Sequence, residues 1–410
     1  MDAKLTLGEP RAFISRSALL HNVSVLRQKI GPEVKLCAVL KADAYGHGAA
    51  IVADALCNFT SASVEAPAVD ALAVATIDEA AALGPVPVPL MVLRPVENIY
   101  VGRERLRLET AIRAGWMLTV CSAEVVSDVA RIAVSCGRRA AVQVMIDTGM
   151  TREGAAAEQT AAVLAAVEAQ PALRLAGLYT HFASADVPGD TVAHSQMASF
   201  HALTHMAAWK YPQLLRHAAN SGGLFFVPGS HMEMVRPGLS LYGIDPTGRP
   251  SVDRSLRPVL KWTAPLLMVR QVRAGQSVGY GGTWTAPRDT RLGLVPIGYA
   301  DGYLRAFSNQ ARMIVHDQPV PVVGRVSMDS TMVDLGAVDN VHVGDTVTIL
   351  DSDPLSPASV YALAAHAHTI PYEVLCRIGS RVTRVAVEPT DYEVQSEIEM
   401  TDLVQKRKSA

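Results

Sequence analysis

The chain holds only five cysteines in 410 residues, and aromatic residues make up 5% of it. Cys37, Cys57, Cys121, Cys136 and Cys376 are scattered, odd in number and in no metal-ligand spacing. That argues against a disulfide framework and a thiolate metal site, and it fits free thiols in a reducing compartment. His366 and His368 lie two apart, without the i,i+4 geometry of a helical zinc site, so no catalytic metal is expected. Neither sign of charge dominates: 37 Lys and Arg stand against 39 Asp and Glu, for a net charge of -2. Such a balance supplies no basic surface for nucleic acid, and no nucleic-acid partner is expected. Long apolar runs are missing too, because Glu, Gln, Arg and Gly interrupt the alanine-rich windows, so no membrane span is expected. The opening MDAKLTLGEPRAF has no basic segment leading into an apolar run, and a cytoplasmic location is the expectation.

What is present is a globular composition, 49% apolar and 19% charged. The length suits two domains, or one barrel with an appendage. Short apolar runs at 34–40, 71–75, 87–93, 117–120, 141–146, 173–178 and 224–226 read as strands. Alanine-rich stretches such as 49–56, 155–169 and 195–210 between them have helical character. Thr76 with Glu79 forms a capping-box pattern at one helix start. This alternation predicts a parallel β/α architecture, and periodicity leaves an open sheet and a closed barrel as alternatives. After Pro246 the pattern changes to Val-, Ile- and Thr-rich runs at 260–269, 291–296, 312–315, 320–326, 331–334 and 345–350, with one helical window at 356–368. That is the pattern of an antiparallel β domain. The expected organisation is a β/α domain over 11–246, a β domain over 258–390 and a charged tail over 391–410. The stretch 62–69 is longer than a β/α loop needs and has no assigned role.

Several residues are placed for chemistry. Lys41, in AVLKADAYGHG, ends a predicted strand beside Tyr45 and His47, where a lysine of lowered pKa can form an imine with an aldehyde cofactor. Arg152 in DTGMTREG and His181 in LYTHFASAD also follow strand-like runs. Asn220, Ser221, Gly222 and Gly223 could donate hydrogen bonds to a phosphate. Arg236 and Tyr242 lie in RPGLSLYGID, Tyr299 and Asp301 in VPIGYADGYLR, and Tyr372 in IPYEV. Alone, each has a plainer reading: a solvated lysine, a loop cation, a structural histidine, a packing tyrosine.

Together, and in this order from AVLKADAYGHG to IPYEV, these segments closely resemble the bacterial alanine racemases. The resemblance implies an α/β fold: a (β/α)8 TIM barrel followed by a C-terminal, mostly antiparallel β domain. It implies pyridoxal phosphate as cofactor, L-alanine and D-alanine as substrates, and a head-to-tail homodimer whose two active sites are shared. By motif, Lys41 resembles the Schiff-base lysine and one catalytic base, and Tyr299 the opposite base, supplied by the other subunit. Tyr45 and Tyr372, with Asn220, Ser221, Gly238 and Leu239, resemble the residues around the cofactor phosphate. Arg236 resembles the arginine facing the pyridine nitrogen, and His181 a partner linking that region to Tyr299. Arg152 resembles the arginine near the substrate carboxylate, and Met328 a substrate contact donated across the interface. Met145 departs from the family: members often carry there a carbamylated lysine that steadies the arginine, and a thioether supplies no anion. Altered substrate-carboxylate affinity is the expected consequence. The alternative readings are a racemase of serine or of many amino acids, and a non-catalytic pyridoxal-phosphate-binding protein. The residues do not separate D-alanine supply for peptidoglycan from D-alanine breakdown, since both use the same reversible chemistry.

Overall fold

In a computed structural model, residues 9–388 are described apart from 59, 62–63, 66, 98–101 and 251–254. Eight parallel strands follow one another around a sheet in chain order: Lys35–Val39, Ala71–Val74, Leu90–Pro95, Met117–Val120, Ala140–Met145, Leu173–Tyr179, Leu215–His217 and Met234–Val235. The last strand pairs with the first, and Glu233 N–H donates to Arg216 C=O (3.2 Å) and Arg236 N–H to Ala219 C=O (2.8 Å) across the remaining seam. The sheet closes into a TIM-type barrel. Every residue of Ala71–Val74, Met117–Val120 and Ala140–Met145 is buried. Strands covered on both faces show no polar alternation for this reason: only Thr119 and Gln143 interrupt these apolar runs, and both are fully buried. The surrounding helices bury one stripe each. Ala123–Ser135 turns Val126, Val129, Ala130 and Ala133 inward at helical spacing, with Ser122 capping its first turn.

The β domain is built on a six-stranded sheet ordered Gln318–Pro321, Arg312–Val315, Thr346–Leu350, Leu260–Pro265, Arg11–Ser15 and Thr383–Val387. A three-stranded sheet of Met268–Val272, Thr290–Val295 and Thr331–Asp334 lies beside it. Leu260–Pro265 alternates buried and half-buried residues, the mark of a strand with one covered face.

Several expectations need correction. Residues 11–15, grouped with the barrel on sequence grounds, form a strand of the β-domain sheet, antiparallel to Leu260–Pro265 and parallel to Thr383–Val387. The run 224–226 is the end of a helix, Ser221–Phe226, because Asn220 Oδ1 accepts the Gly223 N–H (2.9 Å) and starts a helical turn. The seventh barrel strand is instead the three-residue Leu215–His217. The run 260–269 breaks at Pro265 into two strands belonging to different sheets, and the strand expected at 320–326 is Gln318–Pro321. Within 62–69, Val64–Glu65 pairs with Thr60–Ser61. The tail 391–410 lies outside the described residues.

The fully buried Asn22 joins the first helix, Arg16–Ile30, to the end of the barrel. Its amide donates to Leu241 C=O (3.0 Å) and Arg257 C=O (2.8 Å) and accepts the Arg257 N–H (2.8 Å). Asn22→Ala removes all three bonds and leaves buried backbone groups without partners, which costs about 2–3 kcal/mol. A urea midpoint unchanged by this substitution would show that the three bonds carry no net stability.

Candidate active site

The C-terminal ends of the barrel strands surround a cavity of ≈ 290 Å³ that collects Lys41, Tyr45, Arg152, His181, Asn220, Ser221, Arg236, Gly238, Leu239 and Tyr372. Lys41 emerges directly after the strand Lys35–Val39. The chain then makes a left-handed turn: Ala42, Asp43, Ala44 and Tyr45 all have φ between 53° and 55°. Such a turn costs non-glycine residues about 1–2 kcal/mol each, and strain of this kind persists only where the surroundings hold it. It presents both Lys41 and Tyr45 to the cavity. Gly46 closes the turn against the Leu375 carbonyl, which a Cβ would strike, and Arg384 Nε of the β domain donates to Gly46 C=O (3.1 Å).

Four basic side chains line the cavity: Lys41, Arg94, Arg152 and Arg236. Glu153 is the one acidic lining residue among the described residues, with Oε2 3.6 Å from Arg152 Nε. Burial holds the Lys41 amine below its ordinary pKa, and Arg152 and then Arg236 push the same way; Cys376 and Glu79 oppose them. His181 is pushed down to about 3, first by burial and then by Arg236, Lys41 and Arg152, so it is a neutral imidazole near pH 7.

Arg236 is buried with neutral acceptors only. Its guanidinium donates to the carbonyls of His217 (2.8 Å) and Thr180 (2.7 Å) and to His217 Nδ1 (2.7 Å), over the face of Tyr179. His217 Nε2 meets Gln143 Oε1 at 2.6 Å, which assigns the proton to Nε2 and leaves Nδ1 free to accept from the arginine. Burial keeps this histidine neutral. The Arg152 loop is tied by Asp147 Oδ1, which accepts the N–H groups of Gly149, Met150 and Thr151 at 2.9, 2.9 and 3.1 Å.

One end of the cavity is rich in donors. Burial raises the phenols of Tyr45 and Tyr372, the latter to about 12, so both stay protonated. Ser221 Oγ accepts from the N–H groups of Gly238 (3.0 Å) and Ser240 (3.2 Å), drawing two loops together. Gly238 has no room for a side chain, because a Cβ would run into Tyr45 Oη. Hydroxyls around a glycine-lined wall fit a phosphate, and the lysine above them fits an aldehyde. The set matches pyridoxal phosphate.

Tyr299 and Met328 are not in this cavity; both sit on the β domain, 44% and 53% exposed. They are neighbours, since Tyr299 N–H donates to Ser327 C=O and Ala300 N–H to Met328 C=O, each at 3.0 Å. Buried Asp301 accepts the Gly298 N–H (2.9 Å) and pairs with Arg381 Nε (3.0 Å), so the Tyr299 loop is braced from behind. Sequence reasoning overlooked Arg94, Glu153, Tyr179, Gln143 and His217. Arg94, Tyr179 and His217 belong to barrel strands near their C-terminal ends, a position that signals a site once the barrel is recognised.

Two family models match the chain: "Alanine racemase, N-terminal domain" over residues 14–246 and "Alanine racemase, C-terminal domain" over 259–386. An alanine racemase of Chlorobaculum tepidum is 38% identical, over 92% of this chain and 95% of the relative. One of Desulfovibrio desulfuricans is 37% identical, over 92% of this chain and 98% of its own. The solved alanine racemase of Streptomyces coelicolor A3(2) superposes with a TM-score of 0.82 at 35% identity, covering 94% of this chain and 100% of that one. The Bartonella henselae alanine racemase, solved with covalently bound pyridoxal phosphate, gives 0.77 at 27% identity, covering 92% and 99%.

The contact between Gly238 and Tyr45 sets the shape of the donor-rich end. Gly238→Ala forces Tyr45 aside and weakens pyridoxal phosphate binding about tenfold, the effect of overpacking by one methyl group. Absorbance titration with the cofactor measures this, and an unchanged Kd would place the phosphate elsewhere.

Proposed function

The chain belongs to the alanine racemase family, and from that premise we propose how its residues carry out the interconversion of L- and D-alanine. The observation that supports the assignment of roles is the buried amine of Lys41, lowered in pKa, between a donor-rich end and two arginines. Pyridoxal phosphate, the family's cofactor, supplies when bound a sink for the electron pair left on the α carbon. Tyr45, Tyr372, Asn220, Ser221 and the backbone of Gly238 and Leu239 would hold its phosphate, and Arg236 would face its ring nitrogen. An arginine with no carboxylate beside it would leave that nitrogen unprotonated.

Lys41 Nζ takes or returns the α proton on one face of the substrate. The partner subunit's Tyr299 does so on the opposite face, so configuration inverts without the substrate turning over. Arg152 binds the substrate carboxylate, and neutral His181 links the arginine end of the pocket to Tyr299. Met328 comes with Tyr299 from the partner subunit. The assembly is a head-to-tail homodimer, supported by the exposure of two adjacent residues that the single-chain cavity lacks. Among the described residues no helix is long and apolar enough to cross a membrane, and no three His, Cys, Asp or Glu gather to hold a metal ion.

Subunit mixing tests the shared site. Lys41→Ala and Tyr299→Phe dimers are each inactive, and a one-to-one exchange of subunits restores about a quarter of native activity, because half the dimers then hold one intact site. Recovery of nothing beyond the two parents would place both bases in one chain.

Glu153 takes the anionic place beside Arg152 that Met145 leaves vacant. Glu153→Gln raises the KM for alanine about two- to five-fold, the worth of a half-exposed ion pair, with kcat little changed and chloride partly restoring KM. Wild-type KM does not respond to removal of carbon dioxide. A KM unaffected by the substitution would leave packing as the support of Arg152.

A further inference from the structure

The strained turn after Lys41 is held from a residue outside the cavity. Glu79 lies in the first turn of the helix Ile77–Leu83, where with Thr76 it forms a capping box. A capping box asks its glutamate for one bond, to the cap residue's own N–H, and Glu79 Oε2 accepts that bond from Thr76 at 3.1 Å. The carboxylate makes two more. Oε2 also takes the Ala75 N–H at 2.6 Å, just beyond the strand Ala71–Val74. Oε1 takes the Ala42 N–H at 2.9 Å, in the turn after the neighbouring strand. One carboxylate therefore spans two consecutive β/α loops, and its third bond falls on the residue next to Lys41, the first of four in the left-handed region. Ala42 is exposed, so water would satisfy its N–H equally well; water would not fix where that N–H points.

We propose that Glu79 is a positioning residue for Lys41, pinning the Ala42 amide so that the left-handed turn aims the lysine amine into the cavity. The inference rests on the reading of Lys41 as a catalytic base. Thr76 and Ala75 anchor the carboxylate to the barrel, and the rigid helix start transmits that anchor to the Lys41 turn. The carboxylate also favours the charged form of Lys41, so it shapes the lysine's titration as well as its direction.

The test compares Glu79→Gln, Glu79→Asp and Thr76→Ala in the holoenzyme. Thr76→Ala weakens the same helix cap without touching the Ala42 bond. Glu79→Gln lowers kcat about tenfold or more in both directions, as misplacement of a reacting group does, with KM within about twofold. Hydrogen exchange over residues 40–48 speeds up, and the Lys41 limb of the rate profile moves to lower pH. Glu79→Asp, too short to reach Ala42 but still charged, loses kcat similarly with a smaller shift of the limb; it serves alone if the glutamine variant does not fold. Thr76→Ala changes thermal stability but none of these readouts. Equal losses in Thr76→Ala, or a kcat and exchange pattern unchanged in both Glu79 variants, would overturn the proposal and leave Glu79 a helix cap. Lys41→Ala is measured alongside: retained racemisation there would overturn the reading of Lys41 itself, separately from Glu79.

Discussion

A lysine amine takes up a proton only while neutral, and a free lysine near pH 7 is almost wholly charged. The site is organised to disfavour that charge. Lys41 is withdrawn from water and set among Arg94, Arg152 and Arg236, so an ammonium there has lost its hydration and meets like charges. The same crowding would disperse the arginines if nothing held them. Arg236 is fixed by backbone carbonyls and a neutral His217, and the loop of Arg152 by the Asp147 carboxylate. These anchors fix the cations without placing an anion against the lysine, and Glu153, the one acidic residue lining the cavity among the described residues, pairs with Arg152.

Geometry is held by backbone as much as by side chains. The left-handed turn at 42–45 stores strain that the barrel and the β domain restrain together, through Glu79 on one side and Arg384 on the other. Gly46 and Gly238 mark two close approaches around the cavity that leave no room for a Cβ. The first β-domain strand, Arg11–Ser15, precedes the barrel in the chain, so the β-domain sheet contains strands from both sides of the barrel sequence. Lys41 and Tyr45 thus depend on a frame that neither domain completes alone.

Most of this frame was legible from sequence where its cause is local. The capping box at Thr76 and Glu79 and the mainly apolar strands of the barrel follow from short-range pattern. Barrel closure does not, because an open parallel sheet has the same periodicity; resemblance decided it, and the seam bonds of Glu233 and Arg236 account for it physically. The strand misread at 224–226 shows the limit of apolar runs, since three large side chains fit a short helix as well as a strand and Asn220 decides between them. The left-handed turn was invisible, because Ala42, Ala44 and Tyr45 carry no sequence signal for positive φ and Asp43 alone is a weak one. The candidate site was found largely by motif, and its internal wiring through His217, Gln143 and Tyr179 was not, because those residues act on Arg236 from elsewhere in the chain.

In the proposed mechanism two separate groups handle the α proton on opposite faces. Racemisation of L-alanine in deuterium oxide, stopped within the first few per cent of conversion, distinguishes two bases from one. Two bases predict D-alanine carrying deuterium at the α carbon from the earliest time points, with the abstracted protium absent from product. Early D-alanine that retains substrate protium would mean one group carries the proton between faces, and would contradict the roles given to Lys41 and Tyr299.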